Sequence, residues 1–378
     1  MEQNIKSFVK QNFDSMLEIH KELCLIPAPS HHEHERAEYC KKLMESFGAE
    51  GVYIDEAINT IFPYNCEGSN QITVFVAHTD TVFPDREPMP YHDDGEKIHC
   101  PGAADDTASV AVLLMAAKFF LENKIEAPNG IMFVCNSCEE GLGNLKGTRQ
   151  IFKDYEGRIA QFISIDGVLT GIADECVGSH RYEVEVLTEG GHSFSKFGNT
   201  NAIAELAKII TEIYKIEVPK LGNSRTTYNV GTISGGTSVN TIAQNAKMLC
   251  EYRSDNRECL AIMEENFKNI FDKAKNDKIT LIINKVGDRP CSNIDREKIE
   301  KLKEIVVPIN EEIIGKSVSF RSSSTDCNIP LSLGIPALTI GANLHQGVHT
   351  REEWVDKASF GPGLEFTIKT AVALTQKN

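Results

Sequence analysis

Five short polar clusters carry residue types that could do chemistry, and each follows an apolar run. His78-Thr-Asp80 closes the run Ile72–Ala77. In extended chain, residues two apart emerge on one side. An imidazole and a carboxylate therefore leave together, and a carboxylate is the usual partner that orients a metal-bound histidine. Gly102-Ala-Ala-Asp105-Asp106-Thr107 leads into an apolar helix. Asp106 or Thr107 serves as its N-cap, which leaves Asp105 surplus and able to bridge two cations. Cys138-Glu139-Glu140-Gly141 follows the strand ending at Cys135. Adjacent carboxylates repel unless a cation or a proton sits between them. The pair reads as one glutamate on a metal beside another acting as base, or as a solvated loop turned by Gly141. Asp166-Gly167 follows the run ending at Ile165 and is also a common turn dipeptide. Gly347-Val-His349-Thr-Arg-Glu-Glu353-Trp354 follows Ile340, with His345 a rival to His349.

Together these clusters offer two histidines and four or five carboxylates. Such a donor set suits a pair of borderline divalent cations such as zinc better than calcium or magnesium. A two-metal site can polarise a carbonyl and activate a water, and it needs one free carboxylate to move the proton.

The elements that must position these residues alternate. A helix over Ile5–Leu23 stops before Pro27, and a second runs from about 32 to 47. The strand Gln71–Ala77, a buried helix opening near Thr107, the strand Gly130–Cys135, a short helix and the strand Gln161–Ile165 follow. Strands alternating with helices make an α/β sheet layered by helices. Ligands in such sheets bind beyond the carboxyl ends of the strands, where all five clusters fall. After Gly178 the texture changes. Arg181–Leu187 alternates polar and apolar, and the order becomes β-α-β-β-α-β over about 110 residues, a split βαβ sandwich. From about Cys291 the α/β texture resumes, so one α/β domain (1–178 and 291–378) holds an inserted domain (179–290).

A chain of 378 residues has room for two domains. Its 39 basic and 54 acidic side chains give a net charge of −15, which excludes the electrostatic footprint of a nucleic-acid binder and opposes anionic membranes. The N-terminus has no uninterrupted apolar core, and Val110–Leu121 is broken by Lys118 and too short to span a bilayer. Eleven cysteines without a framework read as reduced thiols of a cytoplasmic protein. Cys135-Asn-Ser-Cys138 has the spacing of a redox pair, a rival function, although Cys135 ends a strand rather than opening a helix. A non-catalytic scaffold would have no need of Glu139.

The five motifs, in this order, resemble the co-catalytic di-zinc family of aminoacylase, carboxypeptidase G, peptidase T and carnosinase. The likeness covers essentially the whole chain and is greatest to peptidase T-like members. It implies a zinc-exopeptidase-like catalytic domain with a mixed, mostly parallel sheet, plus an inserted ferredoxin-like lid or dimerisation domain. It implies two divalent cations, preferably Zn2+. Asp105 would bridge them, His78 and Asp166 would complete one site, and Glu140 and His349 the other. Asp80 would orient His78, and Glu139 would be the general base. In the inserted domain it implies an oxyanion role for His192, reaching across a homodimer interface, and substrate contacts for Asn240 and Arg253. The expected substrates are di- and tripeptides, because Asp rather than Glu stands at 166; an N-acyl amino-acid deacylase is the runner-up on the same metals. One departure is Ser322-Ser-Ser-Thr-Asp326, where the family commonly has a Gly-rich loop.

Overall fold

The computed structural model describes residues 1–376. The chain divides into two compact units, Met1–Cys176 with Asn293 onward, and Val177–Ser292.

The first unit is built on an eight-stranded sheet. In spatial order its strands are Tyr53–Ile54, Thr60–Tyr64, Ile131–Asn136, Ile72–His78, Ile159–Ile165, Ala337–Ile340, Gly171–Cys176 and Ser319–Ser323. The four middle strands, from Ile131–Asn136 to Ala337–Ile340, run parallel to one another. The sheet is mixed because Thr60–Tyr64 and Gly171–Cys176 pair antiparallel to it on either side. Every residue of Ile72–His78 and Ile131–Asn136 is buried, so both faces of those strands are covered, which is why they read as unbroken apolar runs. Helix Ser109–Glu122 packs on these two strands and is buried nearly all round; Glu2–Cys24 and Phe360–Gln376 pack against it.

Register does the positioning. His78 lies opposite Asn136, and Val76 opposite Ser164, so the chain leaves the sheet at His78, Asn136 and Asp166 on one level. Ile340 lies opposite Ile165, which brings the following loop to the same edge. A small antiparallel sheet adds a second constraint: His345–Gln346, Trp354–Asp356, Lys97–His99 and His92–Asp93 are neighbours in that order. It draws the 347–353 loop alongside the turn that follows Cys100. These two- and three-residue strands were not expected from sequence, nor were Gly171–Cys176 and Ser319–Ser323.

The second unit is a four-stranded antiparallel sheet in the order Thr226–Gly235, Asn245–Ser254, Gly178–Leu187, Thr280–Arg289, with helices Ala202–Ile213 and Arg257–Ala274 packed on it. Along Asn245–Ser254 every second residue is buried, as a sheet with one helix-covered face requires. This is the β-α-β-β-α-β arrangement of a ferredoxin-like fold. Among the described residues no helix is long and apolar enough to cross a membrane.

Candidate metal centre

Asp105 stands at the middle of the convergence. One of its oxygens lies 3.0 Å from His78 Nε2 and the other 3.0 Å from His349 Nε2. His349 Nε2 is also 3.0 Å from Glu140 Oε1. Three groups each bring one donor atom per residue within 4.8 Å of one another: His78, Asp105 and Asp166; His78, Glu139 and Glu140; Asp105, Glu140 and His349. Two ligands of one tetrahedral zinc ion stand roughly 3.3 Å apart, given metal–ligand distances of about 2.0–2.1 Å. The spacing of these donors therefore fits cations at this place, and their nitrogen and carboxylate oxygen atoms suit a borderline ion. His345 is not among them: its Nδ1 is engaged by Asn343 Oδ1 at 2.6 Å, and of the two rivals His349 joins the cluster.

The charges tell the same story. Burial and the neighbouring Asp105 charge push Glu140 up to about 7, and the same two causes raise Asp166 well above the usual carboxylate range. Burial likewise raises Asp106. Burial works against charge on Asp105 too, but hydrogen bonds from His349 and His78 hold it below the ordinary range. Hydrogen bonds to Asp105 and Glu140 push His349 up to about 11. Burial opposes charge on His78, yet Asp105 and Asp80 raise it well above an ordinary imidazole. So many groups competing for protons in one place is what a site built for positive charge produces.

Each side chain is held by a loop that is itself tied down. Asp80 accepts from Ser30 Oγ at 2.6 Å and from the backbone N–H groups of Glu139 and Glu140, both at 2.9 Å. The His78 ring donates from Nδ1 to the Asp80 carbonyl at 3.0 Å, while the Asp80 carboxylate stands 3.5 Å away. Asp80 thus orients His78 chiefly through its backbone and spends its carboxylate on the two glutamates. The expected N-cap is corrected. The helix opens at Ser109 with no side-chain cap, and Asp106 instead accepts from the His78 backbone N–H at 3.0 Å. A helix start packed under a strand end has a buried N–H to satisfy nearby, and Asp106 goes there.

The model of the peptidase family M20/M25/M40 matches residues 74–373. The chain belongs to that family. A peptidase M20 domain-containing protein of Schizosaccharomyces pombe is 28% identical over 244 residues, 62% of this chain and 59% of that protein, so the chain spans about three fifths of that relative's length. The aminopeptidase PepT of Bacillus cereus superposes with a TM-score of 0.71 at 20% identity, over 97% of this chain and 99% of that one. The YXEP protein of Bacillus subtilis, described as a dinuclear metal binding peptidase of the M20 family, gives 0.68 at 13% identity over 98% and 100%. At those identities the structural likenesses establish the fold.

The three residues expected in the M20 lid lie in the second unit and do not sit together. His192 and Asn240 meet across a short antiparallel pair of strands: His192 pairs with Thr241, and the Asn240 carbonyl accepts from the Ser193 N–H at 3.0 Å. Arg253 lies near the far end of the strand that begins at Asn245, about 26 Å from Asn245 at the usual rise per residue. Its fork is engaged by Glu251, at 2.7 and 3.0 Å. The redox reading of Cys135 and Cys138 gains no support. All eleven cysteines are free and buried, and burial pushes the Cys138 thiol up to about 12, so little thiolate forms.

Two functional supports escaped the sequence reading. Arg36, fully buried, donates to the Thr79 carbonyl at 2.9 Å and to Thr107 Oγ1 at 3.1 Å, bracing the loops that carry His78 and Asp105. Its signal was an arginine at the head of an apolar i, i+4, i+8 stripe with Cys40 and Met44. Asp326, also buried, accepts from Asn136 Nδ2 at 2.7 Å and Thr148 Oγ1 at 2.5 Å beneath the glutamate loop.

Proposed function

We propose that the protein is a metal-dependent exopeptidase that hydrolyses small peptides, di- and tripeptides in the manner of peptidase T. The observation that carries this reading is Asp105 set between His78 and His349 at equal distances, with Asp166 and Glu140 completing the two donor sets and Glu139 beside them. Two divalent cations would be held here, with Asp105 shared, His78 and Asp166 on one, and Glu140 and His349 on the other; zinc suits the donor set best. Bound there, they supply Lewis acidity that polarises the scissile carbonyl and acidifies a water.

The chain supplies the rest. Glu139 is the general base: buried, fixed by its backbone N–H on Asp80, and adjacent to the donors without being needed to complete either set. Its carboxylate takes the proton of the attacking water and returns it to the leaving amine. His192 stabilises the oxyanion, Asn240 positions the substrate, and Arg253 binds the substrate carboxylate, exchanging Glu251 for it. The reading includes a homodimer in which the paired strands around His192 serve the partner's site. Phe194, Phe197 and Val239 lie next to those strands in sequence with exposures of 88%, 92% and 102%, an apolar surface suited to such an interface. The eleven free cysteines are consistent with a cytoplasmic setting.

The test is Glu139→Gln assayed on a tripeptide, a dipeptide and an N-acetyl amino acid. We expect kcat to fall by about 10³-fold or more on the best substrate while two cations per chain are retained. A variant with near-parental turnover refutes the base. Preference for the N-acetyl amino acid would transfer the site to deacylation, the same machinery with a different acyl pocket.

A further inference from the structure

Glu353 is a buried carboxylate, 1% exposed, in the first unit, and no ion pair to a cationic side chain involves it among the described residues. Its partners are backbone N–H groups of one turn. Oε1 accepts from Ala104 at 2.8 Å and Asp105 at 3.0 Å, and Oε2 accepts from Gly102 at 2.9 Å. The Cys100 N–H donates to the carbonyl of the same residue at 3.2 Å, and the next residue, Trp354, opens the strand that pairs with Lys97–His99. Glu353 also stands four residues after His349. One residue thus grips the turn that presents Asp105 while anchoring the loop that presents His349.

We propose that Glu353 is the positioning residue that sets Asp105 midway between His78 and His349, so that the two cation sites form at their shared carboxylate. This rests on the dinuclear reading above. A bridging carboxylate must satisfy two centres at once, so its backbone tolerates little displacement. Three N–H groups bound to one carboxylate fix that backbone, and the fourth contact, from Cys100, docks the His349 loop on the chain entering the same turn. Glutamine at 353 keeps the size but replaces an acceptor oxygen by an amide that can only donate, so at least one N–H of the turn loses its partner.

The experiment measures Zn2+ binding by competition with a chromophoric chelator on metal-free parent, Glu353→Gln, Asp105→Asn and the double variant, with kcat, KM and urea unfolding alongside. We expect Glu353→Gln to weaken the second zinc equivalent by about 10–100-fold and to lower kcat in proportion, with KM within about threefold. In the Asp105→Asn background the same change should leave zinc affinity unaltered, since the group it positions is gone. A purely structural role would move only the urea midpoint. Parental zinc affinity and kcat in Glu353→Gln, or an equal loss of affinity in both backgrounds, overturns the proposal. If Glu353→Gln does not fold, Glu353→Asp keeps the charge one methylene short and must show the same weakened second equivalent. A parent that binds only one zinc defeats the dinuclear reading and this inference with it; a parent that binds two, matched by the variant, defeats this inference alone.

Discussion

His78 and His349 approach the same carboxylate at the same 3.0 Å, yet the structure holds them in opposite ways. His78 ends a fully buried central strand, with a side chain 1% exposed and its second ring nitrogen fixed by Asp80. His349 sits in a loop at φ +65°, a conformation that L residues rarely adopt, with 54% of its side chain exposed. Its imidazole is held by Asp105 and Glu140, and its backbone by the small sheet on either side. The half of the site around His78 is thus prepared by the main sheet, and the half around His349 is assembled by contacts among loops. Two cation sites built so differently should not be equally tight or equally coupled to folding.

The largest test of that asymmetry removes each histidine in turn. His78→Ala leaves one Asp105 oxygen and the Asp80 carbonyl without their imidazole partner in the interior, which should cost about 3–5 kcal/mol of stability and abolish both cation sites and measurable turnover. His349→Ala opens an exposed loop and should cost about 1 kcal/mol or less. It should lose one cation, keep the other and lower kcat by about 10²-fold or more. Cation content by elemental analysis, read with urea unfolding of the metal-free proteins, checks both. Equal losses in the two variants would break the distinction between a prepared and an assembled half.

A smaller effect sharpens the same contrast through pH. In the metal-free protein Glu140 is raised to about 7, so the native state binds more protons than the unfolded chain between about pH 4.5 and 7. Its contribution to stability is therefore full below that window and lost as pH rises through it. His349, raised to about 11, contributes fully below its ordinary value of 6.5 and loses the contribution as pH climbs above it. The metal-free melting temperature should fall from pH 5 to pH 8, and zinc, which must displace these protons, should restore more at pH 8 than at pH 5.5. His349→Ala should flatten only the part above pH 6.5. A zinc-induced shift that is the same at both pH values would contradict this account.

The prepared half was also the half legible in the sequence. Strands buried on both faces appear as continuous apolar runs, and a polar cluster directly after such a run can only emerge at the carboxyl edge of the sheet. His78, Asp80, Glu139, Glu140 and Asp166 were found that way, and the structure places all five at one edge. The assembled half left weaker traces. Strands such as His345–Gln346 and Lys97–His99 are too short to show a period, and Gly171–Cys176 and Ser319–Ser323 carry polar residues that break the apolar pattern. His345 and His349 could therefore not be separated from spacing alone; only the pairing of His345 with Val355 and its bond to Asn343 decide between them. The N-cap expectation failed for a related reason. Propensity assigns Asp106 to its own helix, whereas the nearest buried unsatisfied donor belonged to a strand far away in sequence.

The smallest predicted effect lies wholly within the prepared half. Burial and the charge of Glu139 push Asp326 up to about 7, although Thr148 and Asn136 donate to it. Burial is the larger cause and does not depend on the cations, so bound cations should leave its titration in place. As an acid raised from 3.8, it stabilises the native state below that value and loses the contribution as pH rises to about 7. Asp326→Asn removes the titration but leaves Thr148 or Asn136 facing an amide, at a cost of about 1–2 kcal/mol. Against the zinc-saturated parent, the variant should therefore melt lower at pH 5, with the gap narrowing towards pH 8, where the parent must bury a charge that asparagine lacks. Melting curves at four pH values under saturating zinc measure this directly. A gap that widens with pH would mean that Asp326 is ionised and well satisfied in the fold, and that the prepared half stores its excess protons only around Asp105.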